Sequence, residues 1–300
     1  MASTRNGTLL LTSTLEGKTE SVFCMRSLGT GLVTYTHHDE TVLYTSTKQG
    51  SRMQVVMLHS LHDNRIIRCF GGESALFSSM CMSPVSDTFA TASMDGTFTV
   101  WDIRSPNPAA QGKVDGIPAV SIDPTGTVLS VATRDMGVAL YDITKLDKGH
   151  FLHKQDCLPL TDRSRTSHVT QSAFSPDGKL LALTAPDTGV QLLDSFDLVP
   201  KATLLAHAQS ATPTCGATFT PDSRFLLAGS SSGRVAAYDL SESDPSVLWL
   251  GSGKGTAAPE YTASASFHPT PIAAVRSHPS WSLIATAAQD EVVYWTYPEA

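Results

Sequence analysis

Gly251-Ser252-Gly253-Lys254-Gly255-Thr256 is the run in this chain whose residue types most resemble reaction machinery. Glycines followed by a lysine form phosphate loops when a strand precedes them and a helix follows, because backbone N–H groups at the helix N-terminus cradle the phosphates. Val247-Leu248-Trp249-Leu250 reads as the strand, but Ala257-Ala258-Pro259-Glu260 offers no amphipathic helix. The run therefore reads as a loop between strands. Gly229-Ser230-Ser231-Ser232-Gly233 fits the G-x-S-x-G elbow of serine hydrolases, which also needs a strand-to-helix turn and Asp and His partners. Here it joins two strand-like segments, so a hairpin turn is expected. His37 and His38 are adjacent, and adjacent residues on a strand point to opposite faces. Cys24, Cys69, Cys81, Cys157 and Cys215 include no C-x-x-C pair, which reads as reduced thiols. The expectation is no enzyme: no catalytic residue, no cofactor and no metal site.

The bulk numbers agree with a binding module. The 300 residues are 41% hydrophobic and 16% charged, enough apolar material for a sizeable core and too little charge for disorder. A net charge of −7 argues against a non-specific nucleic-acid binder. The 21 glycines and 17 prolines are spread along the chain, which disfavours long helices, and no segment nears the roughly 18 apolar residues of a membrane helix.

A repeat decides the fold. Met82-Ser83-Pro84, Ile122-Asp123-Pro124, Phe174-Ser175-Pro176 and Phe219-Thr220-Pro221 share one skeleton. In each, the residue 17 positions after the proline is aromatic or leucine and is followed by aspartate: Trp101-Asp102, Tyr141-Asp142, Leu193-Asp194 and Tyr238-Asp239. A shorter copy runs from Ser277-His278-Pro279 to Tyr294-Trp295, and a weaker one from Tyr35-Thr36-His37 to about Leu58. Between the anchors lie a turn (Asp177-Gly178, Asp222-Ser223), a strand of small apolar residues, a second turn (Asp95-Gly96, Ser232-Gly233) and a strand ending in the aromatic-Asp pair. Strands of small apolar residues suit burial on both faces. Copies of about 40 to 45 residues giving four strands each are the signature of a WD-type β-propeller.

Asp95, Asp135, Asp187 and Asp290 in the second turn look like a catalytic set, but in WD repeats this carboxylate ties the turn to a histidine and the tryptophan of one blade. That network looks incomplete. Trp101 has Gly72 or Glu73 where the histidine belongs, and Tyr238 has His207 but Ser232 in place of the aspartate, so the blades should be held mainly by packing. Residues 144–168 and 241–271 break the rhythm and read as exposed loops, where propellers carry partner contacts.

One stretch goes further. Ser60-Leu61-His62-Asp63-Asn64 precedes Met82-Ser83-Pro84-Val85-Ser86-Asp87-Thr88-Phe89, which precedes Trp101-Asp102-Ile103-Arg104-Ser105-Pro106-Asn107. This combination resembles the WD-repeat protein 82 family, with residues 58–107 the most specific part of a match over roughly residues 30 to 298. The resemblance implies a non-catalytic nuclear scaffold. Its partners would be subunits of a COMPASS-type histone methyltransferase or of a type-1 phosphatase complex acting in transcription termination, with the phosphorylated RNA polymerase II tail a further contact. Neither nucleic acid nor membrane is expected as a direct partner. The alternative is a cytoplasmic adaptor propeller that recognises a phosphopeptide.

By the repeat register, His62, Asp63, Asn64 and Arg65 follow the third strand of one blade, and Arg104 and Asn107 follow that of the next. These six residues are the expected protein-binding positions, side by side on one rim. The fold expectation is a single all-β propeller domain over 1–300. Residues 31–298 hold six recognisable blades, and residues 1–30 form a partial first blade or closing strands. The final copy, residues 272–297, has room for three strands, and a propeller avoids an open edge by completing its last blade with an N-terminal strand. Ser21-Val22-Phe23-Cys24-Met25 is the candidate closing strand, giving six blades. The family resemblance favours seven, with an incomplete first.

Overall fold

The computed structural model describes residues 2–3, 7–13, 18–25, 29–38, 40–47, 54–73, 76–134, 137–155, 168–185, 189–204, 216–230, 233–241, 245–249, 268, 270–279, 283–288 and 291–296. The chain divides into two compact units, Met1–Gln155 and Asp156–Ala300.

The first unit opens with a three-stranded sheet of β1 (Ala2–Ser3), β2 (Thr8–Thr12) and β3 (Thr19–Cys24). Three four-stranded sheets follow. Their strands are β4 (Val33–Tyr35), β5 (Thr41–Thr45), β6 (Gln54–Ser60) and β7 (Arg65–Glu73); β8 (Phe77–Met82), β9 (Thr88–Ser93), β10 (Thr97–Asp102) and β11 (Pro108–Lys113); and β12 (Ala119–Ile122), β13 (Val128–Thr133), β14 (Gly137–Asp142) and β15 (His150–Lys154). In the second unit, β16 (Gln171–Phe174), β17 (Leu180–Ala185), β18 (Gly189–Asp194) and β19 (Pro200–Leu204) form one sheet. The next contains β20 (Ala217–Phe219), β21 (Phe225–Gly229), β22 (Val235–Asp239) and β23 (Ser246–Trp249), and the last contains β24 (Ala274–Ser277), β25 (Leu283–Ala287) and β26 (Val292–Thr296). Every pairing is antiparallel between consecutive strands, which is the blade of a WD-type β-propeller. The all-β propeller reading therefore holds, and seven blades with an incomplete first fit these sheets.

The Pro anchors mark the turn from first to second strand for a local reason. The residue before proline has a short polar side chain that accepts from backbone N–H groups across the turn. Asp123 accepts from Val128 at 2.8 Å, Ser175 from Leu180 at 2.9 Å and Thr220 from Phe225 at 3.0 Å. The small apolar second strands then bury both faces between neighbouring sheets. Ala90 and Ala92 share a cluster with Val120, Leu129 and Val131 of the next sheet, and Leu227 shares one with Ile284 and Trp295.

Two markers identify the strands of the first sheet. The turn from second to third strand carries a glycine at positive φ in Gly96 (+88°), Gly137 (+75°) and Gly233 (+80°), where a Cβ would meet the Val114, Lys154 and His268 carbonyl oxygens at 2.2, 2.1 and 1.8 Å. Gly7 (+70°), between β1 and β2, meets the Met25 carbonyl oxygen at 2.8 Å in the same way. The ladder between third and fourth strands also carries a bulge, leaving out Ile67, Ala109, Phe151 and Lys201 in successive sheets, and the β2–β3 ladder leaves out Glu20 likewise. So β1, β2 and β3 are a second, third and fourth strand, and the described residues of this sheet include no first strand. The candidate closing segment, residues 21–25, is not a lone strand: residues 21–24 lie in β3, paired with β2, and Met25 follows it.

Residues 144–168 are only partly loop. Ile143–Lys148 is a 3-10 turn capped by Asp142, and His150–Lys154 is the fourth strand β15. Residues 156–167 lie outside the described set, as do 242–244 and 250–267 of the other insertion, whose Ser246–Trp249 is β23.

Candidate protein-interaction rim

The aspartates that end third strands do the same job in four sheets. Asp102, Asp142, Asp194 and Asp239 accept from the backbone N–H two residues on, at Arg104 (2.8 Å), Thr144 (2.9 Å), Phe196 (2.9 Å) and Ser241 (3.0 Å). Each also pairs with a base: Arg104 (3.0 Å), Lys145 (3.3 Å), Lys201 (2.8 Å) and Arg224 (3.0 Å). The Arg104 hydrogen bond holds Asp102 below the ordinary carboxylate range, and Lys201 does so for Asp194. The fixed aspartate of the repeat is thus turn chemistry.

The turn after β6 is built differently. Ser60 stands where the aspartate would be, and its hydroxyl accepts from the Asp63 N–H at 3.3 Å. Asn64 takes the left-handed conformation (φ +52°) that lets the chain enter β7, and its side-chain oxygen accepts from His59 Nε2 at 3.1 Å. His59 is buried, which lowers its pKa despite the Asn64 bond, and among the described residues its Nδ1 has no hydrogen-bond partner. Asn64 therefore serves the fold first. His62 and Asp63 face solvent and pair at 2.9 Å. The Asp63 hydrogen bond, then the charges of Glu40 and Asp63, raise the His62 pKa. Arg65 is exposed at the start of β7.

The turns after β6 and β10 are joined by Arg68 of β7, whose Nη1 donates to the Ile103 carbonyl of the next sheet. His62, Asp63 and Arg65 lie on one side of this bridge, and Arg104 and Asn107, both exposed, on the other. Arg104 grips Asp102 through Nε (3.1 Å) and Nη2 (3.0 Å), and the Asn107 N–H donates to Ser105 Oγ at 3.3 Å. The structure thus brings the expected residues into one region. It adds Ile66 (43% exposed) and Ile67 (54%), which the sequence did not single out because nothing in a run of apolar residues marks where a bulge turns them outward.

The motifs with possible chemistry fare as follows. Residues 251–256 lie outside the described set, as do Ser231 and Ser232. Their flanks β21 and β22 pair directly, so Gly229 to Gly233 joins a hairpin. His37 and His38 sit in the turn after β4 instead of on a strand, and His37 Nε2 lies 2.9 Å from the Ser83 carbonyl. Among the described residues, no three His, Cys, Asp or Glu side chains group to hold a metal.

Of the second-turn aspartates, only Asp95 is described. It accepts from the Thr97 N–H at 3.0 Å and does not reach Trp101, whose indole donates to Thr91 at 2.9 Å. The reading that packing holds the blades needs one correction. In the last sheet Trp295 Nε1 donates to Thr286 Oγ1 (2.9 Å), which lies 2.7 Å from His268 Nε2, and His268 Nδ1 lies 2.9 Å from Glu291. Carboxylate, imidazole and hydroxyl in this order resemble a hydrolase triad. Thr286 is fully buried, however, and its oxygen is occupied by the indole, so no substrate reaches it. The chain satisfies buried polar atoms.

With that geometry in view, known proteins can be compared. The family described as "WD domain, G-beta repeat" matches residues 64–102, from β7 to the end of β10. The chain is 28% identical to WD repeat-containing protein 82 of Drosophila melanogaster, covering 90% of this chain and 78% of that protein. It is 31% identical to Protein ANTHESIS POMOTING FACTOR 1 of Arabidopsis thaliana (83% and 74% covered). It is 30% identical to the Set1 complex component swd2 of Schizosaccharomyces pombe (81% and 68%).

Proposed function

Because this chain belongs to the WD-repeat protein 82 family, we propose that it is a non-catalytic scaffold in a nuclear histone methyltransferase complex of the Set1 (COMPASS) kind. The observation that carries this reading is the match over most of the length of a protein named as a Set1 complex component. The chemistry agrees: the imidazole and hydroxyl of the described carboxylate–imidazole–hydroxyl chain are buried in a sheet, whereas exposed charges of both signs stand in the turns after β6 and β10. The contact residues are His62, Asp63, Arg65, Arg104 and Asn107, with Ile66 and Ile67 as an apolar addition. A patch mixing arginine with aliphatic side chains suits a protein partner. A type-1 phosphatase complex and the phosphorylated polymerase tail are further partners that the same scaffold would serve.

The test is reconstitution of the purified chain with the Set1-type catalytic subunit and its core partners. The chain should co-elute with the complex and leave the catalytic subunit to supply all methyl transfer. Exchanging Asp63 and Arg104 together for alanine should weaken association about tenfold or more while moving the thermal midpoint by only a few degrees. Absence of any association would overturn the reading. Loss of folding in the double variant would assign these residues to the turns instead.

A further inference from the structure

His150 and His153 stand three places apart in β15, a spacing that puts side chains on opposite faces of a regular strand. The bulge in this strand changes that. Tyr141 of β14 pairs with His150, Leu140 with Leu152 and Ala139 with His153, so Phe151 is skipped. Directly paired residues share a face of the sheet, and Tyr141 and Ala139, two apart on β14, share one as well. Both histidines therefore project from the same face, and their ring centroids lie 5.3 Å apart.

The surroundings position the rings and leave them reachable. The 3-10 turn capped by Asp142 ends at Gly149, whose φ of +80° leads the chain into β15. His150 then meets Tyr141 edge-on at 5.8 Å, and Tyr141 is itself buried against Phe98, 5.1 Å away. The residue paired with His153 is Ala139, a side chain too short to come between the two rings. Both histidines are exposed. Lys154 turns to the opposite face by strand alternation, and Lys145 of the preceding turn pairs with Asp142 at 3.3 Å.

The bulge recurs in other fourth strands, but the chemistry it brings together there is different. The same two places hold Thr19 and Val22, Ile66 and Cys69, Pro108 and Gln111, and Pro200 and Thr203. Among these strands, β15 alone puts two imidazoles there. Imidazole nitrogen is a ligand for late first-row divalent metals, and zinc sits about 2 Å from it. Two rings sharing one tetrahedral zinc have their centroids about 5 Å apart, which is the separation found here. We propose that His150 and His153 form a two-imidazole binding site for zinc or a similar late divalent cation, brought together by the bulge at Phe151. Among the described residues no third His, Cys, Asp or Glu side chain groups with them. An ion with open positions can take water or a donor atom from another molecule. The site stands independently of the scaffold reading.

Titration of the full chain with zinc alone, after bound metal has been stripped by a chelator, tests the site. At one equivalent, zinc should move the imidazole nitrogen resonances of His150 and His153 together. By calorimetry, its dissociation constant should rise about tenfold or more in His150→Gln and again in His153→Gln, each compared with the unaltered chain. His38→Gln, at an exposed histidine in the turn after β4, should leave the constant unchanged. Because both side chains of the pair are exposed, the two variants should keep the thermal midpoint to within about a few degrees. Zinc that binds both variants as tightly as the unaltered chain would overturn the proposal. If a variant fails to fold, the resonances of the unaltered chain decide, and movement of one ring alone or of neither overturns it.

Discussion

Trp101 and Trp295 stand next to last in the third strands of two sheets, and each indole N–H donates to a threonine of the adjacent second strand at the same 2.9 Å. Beyond the threonine the two sheets part. Behind Thr286 the chain continues through His268 to Glu291, whereas among the described residues no histidine reaches Thr91. Trp101 is enclosed by rings instead: Phe89 stacks on it at 6.2 Å and Phe70 meets it edge-on at 5.9 Å. Both indoles are almost fully buried. A blade can therefore anchor its tryptophan either by a chain of satisfied polar groups or by aromatic packing around a single hydrogen bond.

The comparison breaks most visibly at the threonines. Replacing Thr286 by valine strands the indole N–H and a His268 nitrogen together and should cost about 3 kcal/mol or more in urea unfolding. Thr91→Val strands one donor and should cost about 1–2 kcal/mol. Equal costs would show that His268 is held without the hydroxyl. A second, smaller effect separates the sheets by pH. Thr296 occupies the position that Asp102 holds after Trp101, so of these two sheets the Trp101 sheet is the one with acid sensitivity of this kind. Asp102 has a lowered pKa when folded, so its contribution is present above the unfolded value of about 3.9 and is lost as pH falls through the folded value. Asp102→Asn should flatten the decline in thermal midpoint below about pH 4, while Thr296→Val leaves it unchanged. The smallest effect is expected at Glu291, whose side chain is 46% exposed. Glu291→Gln keeps an acceptor for His268, and solvent screening should hold the cost to about 0.5 kcal/mol by calorimetry.

Sequence alone revealed the parts of this molecule that depend on local turn chemistry. Each Ser-Pro, Asp-Pro or Thr-Pro step and each aromatic-Asp step writes its hydrogen bonds into neighbouring residues, and the spacing between them is the length of two strands and a hairpin. Fourth strands carry no such mark. Pro108–Lys113 and His150–Lys154 are half-exposed edge strands whose composition is free to vary, so the second passed for part of a loop. The histidine network of the last sheet escaped notice because its carboxylate is Glu291, one place after the aspartate that the repeat suggests, and because His268 lies far back in sequence. On the rim, the register placed six residues in one region. It could not show that Asn64 turns inward to His59, because that depends on a buried ring supplied by another strand.

The bulge shared by five third-to-fourth strand ladders has a consequence for how such a chain can change over generations. Glu20, Ile67, Ala109, Phe151 and Lys201 are each skipped by the ladder and each exposed, and they are chemically as unlike as an acid, two aliphatics, an aromatic and a base. A side chain released from strand pairing can be exchanged by mutation without shifting the register or the core behind it. Successive sheets thereby carry a set of positions where new surface chemistry can be tried at little risk to folding, and drift in what the protein recognises can outpace drift in its architecture.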